Sequence, residues 1–253
     1  MDGPATPGAP GAAAVLRAVT WNVHHGVGTD GRLDLGRVAS GLAALAPDVA
    51  GLQELDRRFG PRSDHADQPA RLADALGLHL LRGPALSRGG GEYGVALLTR
   101  DPARPAALHR LPGRPGAEPR VALEAVLDAG PAAGLRVVVT HLEPRDAGLR
   151  REQAAALAAL AGPGPAVLLA DLNARPDSRG LAPLPTAWRD AWVAHRGRWR
   201  SRAGGATHPG RPGRRRIDGV LLAGPVEPVA VRVVPLPGSD HRPVVADLRI
   251  TGG

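Results

Sequence analysis

The chain has 253 residues, of which 43% are hydrophobic, and it carries a formal net charge of +8. This length fits one large domain or two small ones, and the apolar content suffices to build a core. The absence of cysteine excludes disulfides, a thiol nucleophile and a thiolate zinc site. Arginine supplies the positive charge because there is no lysine. The charge predicts attraction to anionic partners without choosing among DNA, RNA and phosphate esters.

The N-terminal segment 1–13 consists mainly of proline, glycine and alanine and is predicted to be a disordered tail. It lacks a basic stretch followed by an apolar one, the pattern of a secretory signal peptide. No run in the sequence approaches the roughly 18 apolar residues of a membrane span. We therefore expect a cytoplasmic protein, monomeric, in which residues 14–253 form one domain.

Short apolar runs rich in valine and leucine recur along the chain, and the turn residues around them favour strands. In chain order they are VLRAVTW (15–21), PDVAGLQ (47–53), YGVALLT (93–99), RVALEAVL (120–127), LRVVVTH (135–141), PAVLLAD (165–171), IDGVLL (217–222), VAVRVVPL (229–236) and PVVADLRI (243–250). Many strands and few helices predict two packed sheets with helices outside them.

Helical periodicity and aspartate capping residues predict four helices between these strands. Their predicted ranges are 34–46, 67–77, 146–161 and 187–194. The fourth carries Trp188 and Trp192 at a spacing of four residues, which is more typical of core packing than of a stacking platform.

Polar residues that handle metals or protons recur at the ends of the apolar runs, where a packed sandwich would gather them around one cleft. They are Asn22, Glu54, His141, Asp171, Asn173, Asp218, Asp240 and His241. Carboxylate and amide oxygens suit Mg²⁺, with Mn²⁺ as the alternative, rather than zinc. A cleft with Glu54, Asp240 and Asn22 matches that need. A histidine oriented by a carboxylate could protonate a leaving group or stabilise phosphate charge.

The same residues lie in motifs that resemble the endonuclease/exonuclease/phosphatase superfamily, the group of deoxyribonuclease I-like metal-dependent phosphoesterases. The motifs are TWNVHHG, GLQEL, YGVALLTR, THLEPR, DLNARP, RRRIDGVLL and GSDHRPVV, and the resemblance covers about residues 15–250. It implies an α+β fold, a four-layer α/β/β/α sandwich of two mixed sheets flanked by helices, with the site at one edge of the sheets.

The resemblance also implies roles for these residues in hydrolysis of a phosphoester by in-line attack of water. Glu54 would be the principal Mg²⁺ ligand, with Asn22 and Asp240 completing the metal environment. Asp171 would orient or deprotonate the attacking water, and Asn173 would bind a phosphate oxygen. His241, oriented by Asp218, would contact the scissile phosphate. His141 would donate to another phosphate oxygen or to the leaving group.

Further candidates for substrate binding lie close to these motifs. They are His25, Glu92, Arg120 and Thr207. Glu92 could pair with His141 as a glutamate does in some relatives, or be a solvated loop acid. Arg120 could reach phosphate, and Thr207 resembles a family threonine near the phosphate. The arginine-rich stretch 196–216, which includes Trp199, could contact a phosphate-rich partner or reflect composition alone.

These patterns favour a phosphodiesterase or nuclease that acts on a phosphoester substrate, with nucleic acid among the candidate partners. A phosphomonoesterase or a phospholipid or inositol-phosphate esterase of the same superfamily is the alternative. A non-catalytic phosphate or nucleic-acid binding protein is the alternative of another class, against which the intact set of acids, amides and histidines argues. A serine hydrolase built from Ser239, Asp240 and His241 is excluded because adjacent residues cannot form the required relay.

Overall fold

The computed structural model describes residues 15–197, 205–208 and 215–251, so the predicted tail 1–13, Trp199 and most of the arginine-rich stretch lie outside the described residues. The first sheet has six strands in the order β11-β12-β1-β2-β4-β3. Their bounds are β1 (Val15–Asn22), β2 (Val49–Arg57), β3 (His79–Arg88), β4 (Gly91–Thr99), β11 (Val226–Val233) and β12 (Val244–Ile250). Strands β1 and β2 run parallel, and the other pairs in this sheet are antiparallel.

The second sheet also has six strands, in the order β5-β6-β7-β8-β10-β9. Their bounds are β5 (Ala103–Arg110), β6 (Val121–Leu127), β7 (Arg136–His141), β8 (Ala166–Asp171), β9 (Arg189–Asp190) and β10 (Asp218–Ala223). Strands β7 and β8 are parallel, and the remaining neighbours are antiparallel.

Of the four α-helices in the described residues, three lie on the outer faces of the sheets, and the short fourth packs against β10 and β11. Each of the four begins after an aspartate whose carboxylate accepts a hydrogen bond from the first turn. They are α1 (Leu35–Leu45), α2 (Gln68–Leu76), α3 (Ala147–Ala159) and α4 (Ala191–Arg196). None of them, within the described ranges, is long and apolar enough to cross a membrane.

The fourth helix begins later than predicted because Asp190 caps it and the two residues of β9 pair with β10. Trp188 therefore precedes the helix and belongs to the outer core of the second sheet, whereas Trp192 packs between the sheets. Both indoles are buried, so the prediction of core packing is confirmed although the shared helix is wrong.

Three apolar clusters hold the layers together. The central one lies between the sheets and includes Val49 and Leu97 from the first sheet and Val139 and Leu169 from the second. A second cluster joins α1 and α2 to the outer face of the first sheet, and a third joins α3 to the outer face of the second. This arrangement confirms the predicted α/β/β/α sandwich.

The two sheets approach each other closely at Gly51 of β2. A methyl group at this position would lie 2.6 Å from Cβ of Leu169 and 3.1 Å from Cγ2 of Val139, both in the second sheet. The two sheets can pack at this distance because glycine has no side chain at position 51.

We expect Gly51→Ala to lower the free energy of unfolding by about 1–3 kcal/mol, because the added methyl group overpacks the inter-sheet core. Urea unfolding followed by circular dichroism measures the change. Gly164→Ala is the matched control, since nothing lies within 4 Å of its added methyl group. Equal stability of the two variants would contradict this account of the sheet spacing.

Candidate active site

Three neighbouring strands of the second sheet bring His141, Asp171 and Asp218 together. His141 and Asp171 end the parallel strands β7 and β8 and are register partners. Asp218 begins β10 and lies directly opposite Asp171 in the antiparallel pair. The three side chains are therefore placed at one edge of the sheet by the strand register alone, as the sequence predicts.

Asp171 is at the centre of the site and is 1% exposed. Its Oδ1 accepts a hydrogen bond from the backbone N–H of Asn173 at 2.9 Å, and its Oδ2 accepts one from Nδ2 of Asn22 at 2.9 Å. Nε2 of His141 lies 3.4 Å from Oδ2, and Nε2 of His241 lies 3.9 Å from the same oxygen. Both histidines thus turn one ring nitrogen toward this carboxylate.

His241 is held by contacts with both sheets. Its Nδ1 donates to Oδ2 of Asp218 at 2.9 Å, the partnership that the sequence predicts. Its backbone N–H donates to Oγ of Ser239, and that hydroxyl donates to the carbonyl of Asn22 at 2.7 Å. Nε1 of Trp21 donates to the carbonyl of His241 at 3.0 Å. The Ser239 hydroxyl is thereby a structural link between the last loop and β1.

The charges around His241 make it a cation at neutral pH. Burial alone would lower the pKa of His241, but the neighbouring carboxylates Asp218, Asp171 and Asp240 outweigh burial and raise the pKa to about 10. Burial and the nearby Asp218 raise the pKa of Asp171 to about 7. A carboxyl group with a pKa near neutrality is suited to exchange a proton with water.

His141 is neutral, by contrast. Burial is the largest cause and the Arg120 guanidinium the next in lowering the pKa of His141 well below its usual range. Arginine can only donate, so Nδ1 of His141 accepts from Arg120 at 2.9 Å, and the ring proton is on Nε2. That nitrogen lies 3.4 Å from Oδ2 of Asp171, which can accept its proton, and 2.8 Å from Nδ2 of Asn173, which is a second donor. His141 can therefore donate a hydrogen bond without being an imidazolium.

A bulge in β2 directs Glu54 into the site from the first sheet. Leu52 and Leu55 pair with Ala96 and Gly94, so two residues of β2 lie opposite one residue of β4. Glu54 has a φ of 60°, in the left-handed region that few residues other than glycine adopt. Its carboxylate is half-buried and accepts from Nδ2 of Asn22 at 2.8 Å.

Asn22 lies next to Glu54, where the sequence predicts it, but presents its amide nitrogen rather than its oxygen to that carboxylate. Its amide nitrogen donates to both Glu54 and Asp171, and its oxygen accepts from the backbone N–H of His24 at 3.0 Å. The oxygen that a metal ligand would offer is thus already hydrogen-bonded. Asn22 instead neutralises part of the repulsion between two carboxylates.

Asp240 lies among histidines rather than beside Glu54. His24 Nδ1 is 3.6 Å from its Oδ1, and His208 Nε2 is 3.5 Å from its Oδ2. Burial alone would raise the pKa of Asp240, but the hydrogen bond from His208 and the charges of His241 and His24 lower it to about 2. His208 was not predicted from the sequence, and its only signal was its position directly after Thr207.

The side chains of Thr207 and Arg120 are buried and engaged within the protein. Thr207 Oγ1 accepts hydrogen bonds from the backbone N–H groups of Ile217 and Asp218 at 3.0 and 3.2 Å. Arg120 is 6% exposed and binds Glu118 as well as His141. Thr207 therefore positions the start of β10, and Arg120 positions an imidazole.

Glu92 is a half-exposed acid, the second of its two interpretations, rather than a partner of His141. It forms an ion pair with Arg57 at 3.5 Å, and Nδ1 of His141 is bound by Arg120 instead. His25 lies next to Glu54.

A cleft of about 920 Å³ lies on the outer face of the second sheet. Its described lining is mainly apolar and includes Leu172, Leu184 and Trp188. The lining also includes Arg242, which follows His241 in sequence. None of the described residues of the catalytic cluster lines this cleft.

A family model with the description endonuclease/exonuclease/phosphatase family matches residues 19–241, which is most of the chain. The chain belongs to this family. Its members hydrolyse phosphoester bonds and depend on a divalent metal, so the predicted class of enzyme and the predicted resemblance are confirmed.

Solved structures show the same fold. An endonuclease/exonuclease/phosphatase from Beutenbergia cavernae is 29% identical, with a TM-score of 0.78 over 94% of this chain and 72% of that one. The catalytic domain of human Nocturnin with bound sulfate has a TM-score of 0.68 at 17% identity, over 95% and 97% of the two chains. A mannosyl-6-phosphatase from Bacteroides thetaiotaomicron has a TM-score of 0.67 at 16% identity, over 92% and 99%. Among curated protein sequences, none matches this chain.

The donor groups of the site fit a divalent cation. Glu54 and Asp240 are carboxylates on the half-exposed side of the cluster, where an ion could enter from solvent. Glu54 lies in one group with His24 and His25, and Asp240 in another with His208 and His241. The two predicted carboxylate ligands are thus found in separate groups of side chains.

Because Asp218 raises the pKa of His241, we expect Asp218→Asn to lower that pKa by about 1–3 pH units. Histidine NMR signals followed through a pH titration of the metal-free protein measure the shift. Asp74→Asn on the exposed side of α2 is the matched control and should leave the titration unchanged. An unchanged midpoint in the Asp218→Asn variant would contradict the assigned charge pairing.

Proposed function

We propose that this protein is a Mg²⁺-dependent phosphodiesterase, with nucleic acid among its candidate substrates. The observation that supports this most directly is the buried arrangement of Asp171, His241 and Asp218. It combines a carboxyl group with a pKa near 7 and an imidazolium held by a second carboxylate. These are the groups that water attack on a phosphoester requires at neutral pH.

Glu54 would be the principal ligand of the cation, and Asp240, whose Oδ1 lies 3.6 Å from Nδ1 of His24 in the Glu54 group, would add to its environment. A bound divalent ion would supply positive charge to the phosphate and the leaving oxygen. The protein's own residues supply the rest. His241 would bind a phosphate oxygen through Nε2, since its Nδ1 is committed to Asp218. Asp171 would accept the proton of the attacking water, and His141 would donate from Nε2 to the phosphate or the leaving group.

The charge balance of the site supports a diester over a monoester. Asp171, Asp218 and Asp240 surround the imidazolium of His241, and the Arg120 guanidinium is paired with Glu118. A diester carries one negative charge where a monoester carries up to two, so it suffers less repulsion from these carboxylates.

A phosphomonoesterase is the second candidate. It is favoured by the match to the mannosyl-6-phosphatase, which covers 92% of this chain. In either reaction every residue of the proposed site comes from one chain, so a second copy is not required.

We expect Asp171→Asn and His241→Gln each to lower kcat on bis-p-nitrophenyl phosphate by about 10²–10⁴-fold, because each removes a proton-handling group. Release of p-nitrophenolate with Mg²⁺ or Mn²⁺ measures the rate, and EDTA should abolish it. His79→Gln at the exposed start of β3 is the control and should retain full activity. Activity that survives EDTA or both site substitutions would overturn the mechanism.

The substrate class is tested with a matched panel of esters. It should include p-nitrophenyl phosphate, mannose 6-phosphate, plasmid DNA, single-stranded RNA, sphingomyelin and phosphoinositides. Faster turnover of the monoesters than of every diester would favour the second candidate. Binding without hydrolysis of any ester would indicate a non-catalytic protein.

A further inference from the structure

A second group of side chains lies beside the catalytic carboxylates, and its two histidines are not used in the proposed reaction. It consists of His24 and His25, in the short 3-10 turn after β1, and Glu54 in the bulge of β2. One ring nitrogen of each histidine and one carboxylate oxygen all lie within 4.8 Å of one another. The two imidazole rings meet edge to face with their centres 4.7 Å apart.

All three residues of this group have left-handed backbone. The φ angles are 45° for His24, 42° for His25 and 60° for Glu54. Non-glycine residues in this region are uncommon and persist where the surrounding structure holds them and a function requires them. Here the turn is held firmly, because Gln68 Nε2 donates to the carbonyl of His25 at 2.6 Å and the N–H of His24 donates to Asn22.

The hydrogen bonds of the two rings leave nitrogen atoms available. Nδ1 of His24 faces two acceptors, the carbonyl of Val27 at 3.3 Å and Oδ1 of Asp240 at 3.6 Å. With its proton on Nδ1, the Nε2 lone pair of His24 is free to bind a cation. A carboxylate or a carbonyl behind a histidine is the usual support for a metal ligand.

His25 provides an independent sign of a ligand. Its Nδ1 is buried and has no hydrogen-bond partner among the described residues. Buried polar atoms are rarely left in this state, and a bound ion is one of the reasons for it. A cation bound to this ring would supply the missing partner.

The donor atoms determine which cation fits. Mg²⁺ prefers an all-oxygen environment and keeps several waters. Imidazole nitrogen suits zinc and other transition metals, and two histidines with one glutamate form a known zinc ligand set. We propose that His24, His25 and Glu54 bind one divalent transition-metal ion, with Zn²⁺ preferred over Mg²⁺. This metal assignment rests on the proposed function in one respect, because Glu54 is also the proposed ligand of the catalytic cation.

Zinc binding to the full chain, after EDTA treatment and dialysis, tests the proposal directly. We expect isothermal titration to show that His25→Asn weakens Zn²⁺ binding by at least about tenfold, the lower end of what loss of even an outer partner costs. Asparagine is chosen because it tolerates left-handed backbone. X-ray absorption at the zinc edge should show two imidazole ligands in the unaltered protein and one in this variant.

Two control variants separate this group from other histidines. His79 lies at the end of the first sheet away from Glu54, so zinc binding by the His79→Asn variant should be unchanged. His208→Asn alters the neighbouring group around Asp240 and should also leave the affinity unchanged. Zinc binding that depends on His208 rather than on His25, or an all-oxygen ligand shell, would overturn the proposal. Circular dichroism of each variant excludes loss of the fold as the cause.

The outcomes distinguish this inference from the proposed function. Phosphodiester hydrolysis with Mg²⁺, combined with zinc binding that is insensitive to His25→Asn, would leave the function standing and refute the metal assignment. Histidine-dependent zinc binding without hydrolysis of any ester would refute the function and support the metal assignment.

Discussion

Two buried carboxylates lie directly opposite each other on neighbouring strands, and the site depends on how their repulsion is balanced. Asp171 and Asp218 are each 1% exposed. Like charges at opposed positions of a sheet destabilise it, and burial increases the cost. The imidazolium of His241, bonded to Asp218 and turned toward Asp171, offsets that cost. The same balance leaves one carboxyl group with a pKa near neutrality.

The residues that balance these charges are held in place by contacts between the two ends of the chain. His241 is 220 residues from Trp21, yet the two are hydrogen-bonded, and the Ser239 hydroxyl binds the carbonyl of Asn22. Gln53 adds a bond between the sheets, since its Nε2 donates to Thr20 in one and faces the carbonyl of Leu169 in the other. The site therefore forms only when the first strand, the last loop and both sheets have come together.

The central strands and most of the site were predictable because each central strand is a continuous apolar run that ends in a polar residue. Strand register then places those residues side by side, and this needs no knowledge of distant contacts. The roles of Arg120 and Thr207 were less accessible, since they depend on which groups face them after folding. The orientation of the Asn22 amide was not predictable either, because an asparagine can turn either its oxygen or its nitrogen toward a neighbour.

Strands β3, β5 and β9 were not predicted from the sequence, and all three lie at sheet edges. Pro84 and Pro105 interrupt the patterns of β3 and β5, and Pro228 lies in the fourth edge strand, β11. At each of these prolines the pairing register with the neighbouring strand shifts. A proline lacks the N–H that a further strand would need, and a bulge twists the edge away from a flat partner. Two six-stranded sheets would otherwise present long edges on which copies of the chain could aggregate, and these kinks keep such edges from serving as templates.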